Sequence, residues 1–313
     1  MVYTVRKYGN ADSGIWNDLI EKSKNGTFLF NRDFMEYHND RFEDFSLMAF
    51  EGAKLVAVLP ANKTGDEVHS HQGLTYGGLV LTDSIGVDKI EQIFDTITAW
   101  LKKQGSTILK IKQVVPIYHK EATHEMDYIL FKNGASLYRR DMNLAINFSM
   151  PLNVSKSKMK NFRKIAMEDL EIRQDNNFKA FWDGVLIPRL KEKHNASPAH
   201  TKEEIQLLHD RFPNNIIQYN IYHNNEILAG ITLFDTGDVV KSQYGATTSK
   251  GEKMRALDYL FITLILKYKD SYRYFDMGTV NEDQGKTYNK GLLKQKEELG
   301  CSVYNHDYYS LVL

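Results

Sequence analysis

One phrase of twelve residues occurs twice in this chain. Residues 64–75 read TGDEVHSHQGLT and residues 236–247 read TGDVVKSQYGAT, 172 positions later, with seven of the twelve positions identical. The ten residues before each phrase, KLVAVLPANK and EILAGITLFD, also align without a gap. A match of this length indicates an internal duplication, in which each copy forms the same supersecondary unit. We therefore expect two similar halves.

Length, charge and cysteine content agree with this organisation. At 313 residues the chain is about twice the size of one ordinary domain, so we predict domains at residues 1–150 and 151–313. Forty Lys and Arg balance forty Asp and Glu, which argues against a broad basic surface for nucleic acid. Because Cys301 is the single cysteine, an intrachain disulfide and a thiolate metal cluster are excluded. The sequence has no signal-peptide pattern and no apolar run of membrane-spanning length, which predicts a cytoplasmic protein without membrane insertion.

Hydrophobic periodicity predicts the same order of elements in both halves. Each half reads as a strand, two helices, three antiparallel strands, a helix, a strand, a helix and a final strand. In the first half the three strands are FSLMAFEG, KLVAVLPAN and VHSHQGLTYGG. In the second half the predicted helices include residues 202–211, 254–268 and 286–299. This order indicates an α+β fold.

Three segments of the second half add motifs to this order. Residues 161–172, NFRKIAMEDLEI, are a basic helix followed by an acidic turn and a strand, and residues 272–278, YRYFDMG, end in hydrophobic-Asp-hydrophobic-Gly. Residues 289–301, NKGLLKQKEELGC, contain Lys296 four positions before Gly300. Element order and motifs resemble the N-acyltransferase (GNAT) superfamily and, with two units in one chain, its FemAB-like branch. In that branch the closing segment is Phe-Lys-x-x-Phe-Gly, so Gln295 and Leu299 replace its aromatics.

The resemblance implies two tandem GNAT-like domains, each a mixed, mostly antiparallel sheet flanked by helices. In this fold the fourth and fifth strands diverge, and an amine attacks an acyl carbonyl held between them. The cleft of the second half is expected between residues 242–247 and 275–279. The predicted catalytic residues are Asp276, to orient or deprotonate the amine, and Tyr244 and Tyr304, to protonate the leaving group.

The donor is expected to bind in the second half. A coenzyme A donor needs a glycine-containing loop before a helix, because backbone N–H groups and the helix N-terminus cradle its pyrophosphate. The stretch TSKGEKMRA offers an irregular version of that loop, with Lys250, Gly251, Lys253 and Arg255 as predicted acyl-CoA ligands. The matching stretch of the first half carries Asp83 and Asp88, which repel phosphate, so we expect the first half to shape the acceptor cleft.

Other residues are candidates for binding the acceptor. The predicted substrate-binding residues are Tyr76, Arg163, Lys164, Tyr288 and Lys296. Each has a structural alternative: Tyr76 lies in GLTYGG, which also suits a β-bulge, and basic residues often cover a solvated helix face. His69 and His71 alternate along one strand without an evident third ligand, so no metal is expected.

These observations predict an N-acyltransferase that uses acyl-CoA and modifies the amine of a sugar-linked or cell-envelope precursor. The acceptor class is implied by the resemblance alone. A FemAB-type aminoacyltransferase, with charged tRNA as donor and a peptidoglycan-like precursor as acceptor, is the alternative enzyme. A non-catalytic ligand-binding protein with a decayed acyl site is the alternative of another class. Donor, acceptor and oligomeric state are not determined by the sequence.

Overall fold

The computed structural model describes residues 3–166 and 168–313, and the chain forms two compact units. The first unit consists of the chain up to Met142 together with Asn281–Thr287 and Tyr304–Leu313. The second unit consists of Asn143–Val280 and Tyr288–Val303. Each unit thus includes segments that are distant in sequence. The predicted domain boundary between residues 150 and 151 stays a prediction.

The strands and helices alternate along both halves of the chain. The strands are β1 (Tyr3–Lys7), β2 (Glu43–Asp44), β3 (Leu47–Glu51), β4 (Lys54–Leu59), β5 (Asn62–Thr64), β6 (Glu67–His69), β7 (Val80–Leu81), β8 (Ile108–Lys112), β9 (Ser136–Asn147), β10 (Glu171–Asp175), β11 (Ile216–His223), β12 (Glu226–Asp235), β13 (Val239–Thr247), β14 (Tyr274–Thr279), β15 (Asn281–Glu282), β16 (Thr287–Tyr288) and β17 (Ser302–Val312). The helices are α1 (Ser13–Lys22), α2 (Arg32–Met35), α3 (Val87–Lys103), α4 (Glu125–Lys132), α5 (Lys156–Ile165), α6 (Lys179–Phe181), α7 (Ile187–His194), α8 (Lys202–Arg211), α9 (Ser249–Lys253), α10 (Ala256–Tyr268) and α11 (Lys290–Glu298). A π-helical turn, Trp182–Leu186, joins α6 to α7.

The second unit is built on a mixed sheet in the order β10, β11, β12, β13, β14, β9. Neighbouring strands are antiparallel except for β13 and β14, which run parallel. Strand β12 is an apolar run that is buried along most of its length, as expected for a strand covered on both faces. Helix α10 packs on β12 and β13, and it is apolar on most sides because it too is largely buried.

The first unit contains two sheets. One has the order β1, β3, β4, β7, and the other has the order β17, β8, β6, β5, β2, in which β6 and β8 are parallel. Helix α3 carries apolar residues at three- and four-residue steps and buries them against the core. The prediction of an α+β fold with mixed, mostly antiparallel sheets flanked by helices is therefore confirmed. No helix among the described residues is long and apolar enough to cross a membrane.

Several strands of the first unit are shorter than predicted. The predicted strand KLVAVLPAN is divided at Pro60 into β4 and β5, because proline has no N–H to donate to a strand ladder. The predicted strand VHSHQGLTYGG contributes β6 and then leaves the sheet at His71, whose φ of 83° is incompatible with a strand. In the second unit the predicted helix 286–299 begins later, at Lys290, where the side chain of Asn289 caps it.

The start of the duplicated phrase forms the same parallel strand pairing in both units. In the second unit β13 pairs in parallel with β14 over three residues, and the last pair is Lys241 with Asp276. In the first unit β6 pairs in parallel with β8 over three residues, and the last pair is His69 with Lys110. His69 and Lys241 occupy the same position of the repeated phrase. The duplication inferred from the sequence therefore extends to strand register.

Candidate active site

Strands β13 and β14 diverge at one end of their short parallel pairing. Beyond Lys241, β13 pairs with β12 alone as far as Thr247, and beyond Asp276 the pairing of β14 with β9 is interrupted by a bulge. Gly278 lies in that bulge with a φ of 73°, a conformation that strongly favours glycine. The predicted opening between residues 242–247 and 275–279 is present. Where the two strands diverge, their backbone N–H and C=O groups no longer bond to each other and can bond to other partners.

The carboxylate of Asp276 is at the point of divergence and is 1% exposed. It accepts hydrogen bonds from Nδ2 of Asn143 at 2.8 Å and from the backbone N–H of Gly278 at 2.7 Å. Nζ of Lys241 lies 3.2 Å from its other oxygen. With these donors around it, Asp276 connects β9, β13 and the bulge of β14. Its proposed catalytic role stays a prediction, and its contacts suit a residue that positions the strands.

Lys296 of α11 reaches the same region of β14. Its side chain is buried, and Nζ donates to the carbonyl oxygens of Gly278 at 3.0 Å and Thr279 at 2.9 Å. Burial, together with the nearby charge of Lys241, lowers the pKa of Lys296 to about 8, while Asp276 opposes the shift. Lys296 therefore holds the diverging end of β14 and titrates close to neutral pH.

Tyr244 lies farther along β13, and its hydroxyl contacts His200. The oxygen is 2.6 Å from Nδ1 of His200 and accepts the backbone N–H of the same residue at 3.2 Å. The ring of Trp182 meets the tyrosine ring edge to face at 5.2 Å. Burial raises the pKa of Tyr244 to about 12, so the phenol keeps its proton at neutral pH. The side chain is thus held in place by its contacts and is protonated at neutral pH.

A cavity of ≈ 500 Å³ adjoins the end of β13 in the second unit. Its wall includes residues 245–247 of β13, the start of α10 at Leu257 and Asp258, Leu186 of the π-helical turn and Leu190 of α7. This volume is within the range of small-molecule sites. The first turn of α10 thus contributes to the wall of the cavity, where a helix N-terminus attracts anions.

Four cationic side chains line this cavity: Lys158, Arg189, Lys193 and Arg255. Carboxylates of the wall pair with most of them, since Lys158 Nζ lies 2.5 Å from Asp258 and Glu252 contacts both Arg189 and Lys193. Among the described residues Arg255 has no carboxylate partner within ion-pair distance. With four cations and two carboxylates, the wall has an excess of positive charge.

The predicted donor-binding residues differ in their relation to this cavity. Arg255 lines it. Lys250 is exposed and pairs with Glu226, and Lys253 is exposed on α9. Gly251 is buried, and a Cβ at this position would lie 2.3 Å from the carbonyl oxygen of Leu228. Glycine is therefore required here by packing against β12, and the assignment of these residues to a donor stays a prediction.

Sequence reasoning did not identify three of the cavity cations. Arg189 and Lys193 belong to α7, and Lys158 belongs to the basic helix α5. The basic character of both segments is visible in the sequence, but a solvated helix face has the same composition. These three cations line one cavity only because of the way α5 and α7 pack in the fold.

The remaining predicted residues lie in different places. Tyr76 is 1% exposed in the first unit, where its hydroxyl donates to Oγ1 of Thr27 at 2.9 Å. Arg163 and Lys164 are exposed on α5. In the second unit Tyr288 is 44% exposed, whereas Tyr304 is half-buried and belongs to the first unit. Their proposed roles in substrate binding and catalysis stay predictions, although the contacts of Tyr76 are those of a core residue.

No family model matches the sequence, and no curated protein matches it. Solved structures are similar to it over almost the whole chain. The structure of FemX has a TM-score of 0.71 at 11% identity, with 99% of this chain and 97% of that chain covered. L-PGS from Bacillus licheniformis has a TM-score of 0.64 at 12% identity, with 98% and 92% covered. A tandem GNAT protein from the clavulanic acid biosynthesis pathway has a TM-score of 0.55 at 11% identity, with 99% and 98% covered.

Proposed function

We propose that this chain, which has the tandem GNAT-like fold of the FemAB type, is an N-acyltransferase with an acyl-CoA donor. The proposed acceptor is the amine of a sugar-linked or cell-envelope precursor in the cytoplasm. One observation carries the transferase proposal: β13 and β14 diverge beyond Lys241 and Asp276, and a cavity with excess positive charge adjoins the free end of β13. Fold likeness alone does not establish activity, so the proposal depends on this site.

The chemistry follows from the geometry of the diverging strands. The amine nitrogen forms a bond to the acyl carbon, the bond from that carbon to the sulfur of coenzyme A breaks, the amine loses a proton and the thiolate gains one. Backbone N–H groups near Gly245 are the proposed donors to the carbonyl oxygen as it becomes negative. Tyr244, which keeps its proton at neutral pH, is the proposed donor to the thiolate.

Asp276 and Lys296 have different proposed roles. Asp276 is a positioning residue, because its contacts with Lys241, Asn143 and Gly278 fix the strands at the point of divergence. Lys296 titrates near pH 8, so part of its population is neutral and able to accept the proton of the attacking amine. In this proposal Asp276 holds the strands in position, and Lys296 accepts the proton.

The cavity suits the phosphates of coenzyme A. Arg255 immediately precedes α10, and Arg189 approaches from α7. Phosphate oxygens bind well to guanidinium groups and to the N-terminus of a helix. The carboxylates of Glu252 and Asp258 hold the other cations in place. Arg255 is therefore the residue whose loss should weaken donor binding most directly.

An aminoacyl-tRNA donor is the second candidate. The carboxylates of Asp258 and Glu252 line the same cavity, and a carboxylate is the natural partner for the ammonium group of an aminoacyl donor. The structural likeness to FemX supports this reading as well, because the FemAB-like branch uses charged tRNA. A third candidate is a ligand-binding protein without turnover.

Calorimetric titration distinguishes these candidates. The purified protein is titrated with acetyl-CoA, longer acyl-CoAs, deacylated tRNA and charged tRNA. Arg255→Met should weaken acyl-CoA binding by about tenfold to a hundredfold, as expected for the loss of a charged hydrogen bond. Lys269→Met is the matched control, because this exposed cation follows the opposite end of α10, and its effect should be below about twofold.

Each outcome selects one candidate. Acyl-CoA binding that depends on Arg255 supports the conventional transferase, and amine-dependent release of coenzyme A then establishes turnover. If no coenzyme A ester binds, and charged tRNA binds with an affinity that falls steeply with salt, the result supports aminoacyl transfer. If neither class of donor binds, both transferase proposals are overturned, and the result favours a ligand-binding protein without turnover.

A further inference from the structure

The first unit repeats the diverging strand pair but closes the opening between the strands. Beyond the last pair, Oγ of Ser70 accepts the backbone N–H of Lys112 at 2.9 Å. The N–H of Gly77 then donates to the carbonyl oxygen of Lys112 at 2.6 Å. The backbone passes so closely that a Cβ on Gly77 would lie 1.5 Å from the carbonyl oxygen of Ser70. The loop 70–77 thus occupies the space where an acyl group lies in the proposed site of the second unit.

A separate pocket of ≈ 300 Å³ lies beside this closed opening, entirely within the first unit. Its wall includes the cations Lys110, Lys112 and Arg139, the phenol rings of Tyr138 and Tyr308, and the amide of Gln284. The guanidinium of Arg139 lies over the ring of Tyr308 at 4.5 Å, and the two tyrosine rings meet edge to face at 6.2 Å. These contacts hold the wall in one arrangement.

Two of the three cations already have carboxylate partners. Nζ of Lys110 lies 2.6 Å from Glu67, and the guanidinium of Arg139 lies 2.6 Å from the buried carboxylate of Asp141. Arg139 also donates to the amide oxygen of Gln284 at 3.0 Å. Their charges are largely neutralised, so these two residues contribute to the wall of the pocket but little to its net charge.

Lys112 carries the uncompensated charge of the pocket. Its Nζ donates to the carbonyl oxygen of Leu74, and no carboxylate among the described residues lies within ion-pair distance of it. Burial, together with the charge of Arg139, lowers the pKa of Lys112 to about 8, and the charge of Asp141 opposes this shift without cancelling it. An anion bound beside the ammonium would offset the free-energy cost of burying its charge, because opposite charges attract strongly where water is excluded.

We propose that this pocket of the first unit is a second ligand site, which binds the oxyanion of a phosphate monoester or a carboxylate through the ammonium group of Lys112. The volume and the aromatic wall suit a small organic anion better than a hydrated inorganic ion. The site is independent of the proposed transferase chemistry, because anion binding needs neither a donor nor turnover.

Calorimetric titration with methyl phosphate and with acetate tests this site and separates the two sources of the oxyanion. The titrations use the full chain in the Arg255→Met background, so that anions bound in the cavity of the second unit contribute little. Lys112→Met should weaken the preferred anion by about tenfold or more, as expected for loss of a charged hydrogen bond. The matched control is Lys102→Met, an exposed lysine of α3, which should leave affinity unchanged.

Gln284→Glu is a second variant, which keeps the size of a side chain in the pocket wall and changes its charge. Gln284 is exposed, and a carboxylate there adds a negative charge at the rim, so anion affinity should fall by about tenfold even if Lys112→Met folds poorly. Binding of either anion that is lost in these variants and kept in the control supports the site. Absence of binding by the parent protein at millimolar anion, or equal affinity in the parent and in the folded variants, overturns the proposal.

Discussion

Nζ of Lys241 lies 3.2 Å from Oδ2 of Asp276 at the last residue pair before β13 and β14 diverge. The two side chains are 11% and 1% exposed, so water and salt screen their attraction only weakly. Asn143 and the N–H of Gly278 satisfy the other oxygen of the carboxylate. A buried ion pair thus joins two strands at the end of their shared hydrogen bonds.

Breaking this pair should strongly destabilise the protein. Lys241→Met leaves the carboxylate of Asp276 buried without its cation, and we expect a loss of about 3 to 5 kcal/mol in the free energy of unfolding. Asp276→Asn should also destabilise, whereas the double variant should cost less than the sum of the single variants. Urea unfolding of the four proteins measures the coupling, and strictly additive effects would contradict an energetic role for the pair.

Gly251 should not tolerate a methyl group. A Cβ at this position would lie 2.3 Å from the carbonyl oxygen of Leu228 and 2.5 Å from Oγ1 of Thr247, so Gly251→Ala should cost about 1 to 3 kcal/mol. Gly14→Ala is the control, because a Cβ on this exposed helical glycine meets nothing within 4 Å. It should change stability by less than about 1 kcal/mol. Thermal or urea unfolding measures the stability of both variants. Equal effects would contradict the close approach of the backbone at Gly251.

The stability of the protein should increase between about pH 8 and pH 10 because of Lys296. Burial lowers the pKa of this lysine to about 8 in the folded protein, whereas the ordinary value is 10.5. In this window the unfolded chain therefore binds more protons than the folded protein, so the free energy of unfolding rises with pH. Urea unfolding across the pH range measures the slope.

Two variants identify the source of that slope. Lys296→Met should reduce it, and the part that remains should depend on Lys112, whose pKa is lowered in the same direction. Lys294→Met, an exposed lysine on the same helix, should leave the slope as it is. An identical slope in the Lys296→Met and parent proteins would mean that Lys296 keeps its proton.

Loss of the Tyr244 hydroxyl should slow acyl transfer more than it weakens the fold. If the phenol protonates the leaving thiolate, Tyr244→Phe should lower kcat by about a hundredfold with little change in KM. The lost hydrogen bond with His200 should cost about 1 kcal/mol of stability. Tyr222→Phe removes another hydroxyl of the second unit, bound to Asp175 at 2.9 Å, and should keep the parent kcat. Equal kcat values for Tyr244→Phe and the parent would exclude this role.

Local patterns predicted many elements correctly. The predicted helix 202–211 is α8, because Thr201 and Glu204 form a capping box at its start. The apolar segment 254–268 became α10, although Arg255 adopts a left-handed conformation and delays the start to Ala256. Such features depend on residues within a turn or two of one another. The divergence of β13 and β14 was located in a different way, because the family resemblance predicted which strands would separate.

Contacts between distant segments were not predictable in this way. The cavity of the second unit combines Arg189 from α7 with Glu252 from α9 and Lys158 from α5 with Asp258 from α10. A basic helix has the same composition whether it faces solvent or a cavity, so these sequences do not reveal their partners. Gly251 illustrates the converse case, because a glycine in a phosphate-loop pattern proved to be required by packing on β12.

The sequence by itself determined the duplication and the order of the elements. These properties follow from hydrophobic periodicity and from repeated residues, which are local and additive along the chain. Only the tertiary structure decided that Lys296 and Lys112 are cations with lowered pKa values and that the first opening is closed by the loop 70–77. The physical reason is that the charge and the accessibility of a side chain depend on solvent exclusion, which is produced by segments far away in sequence.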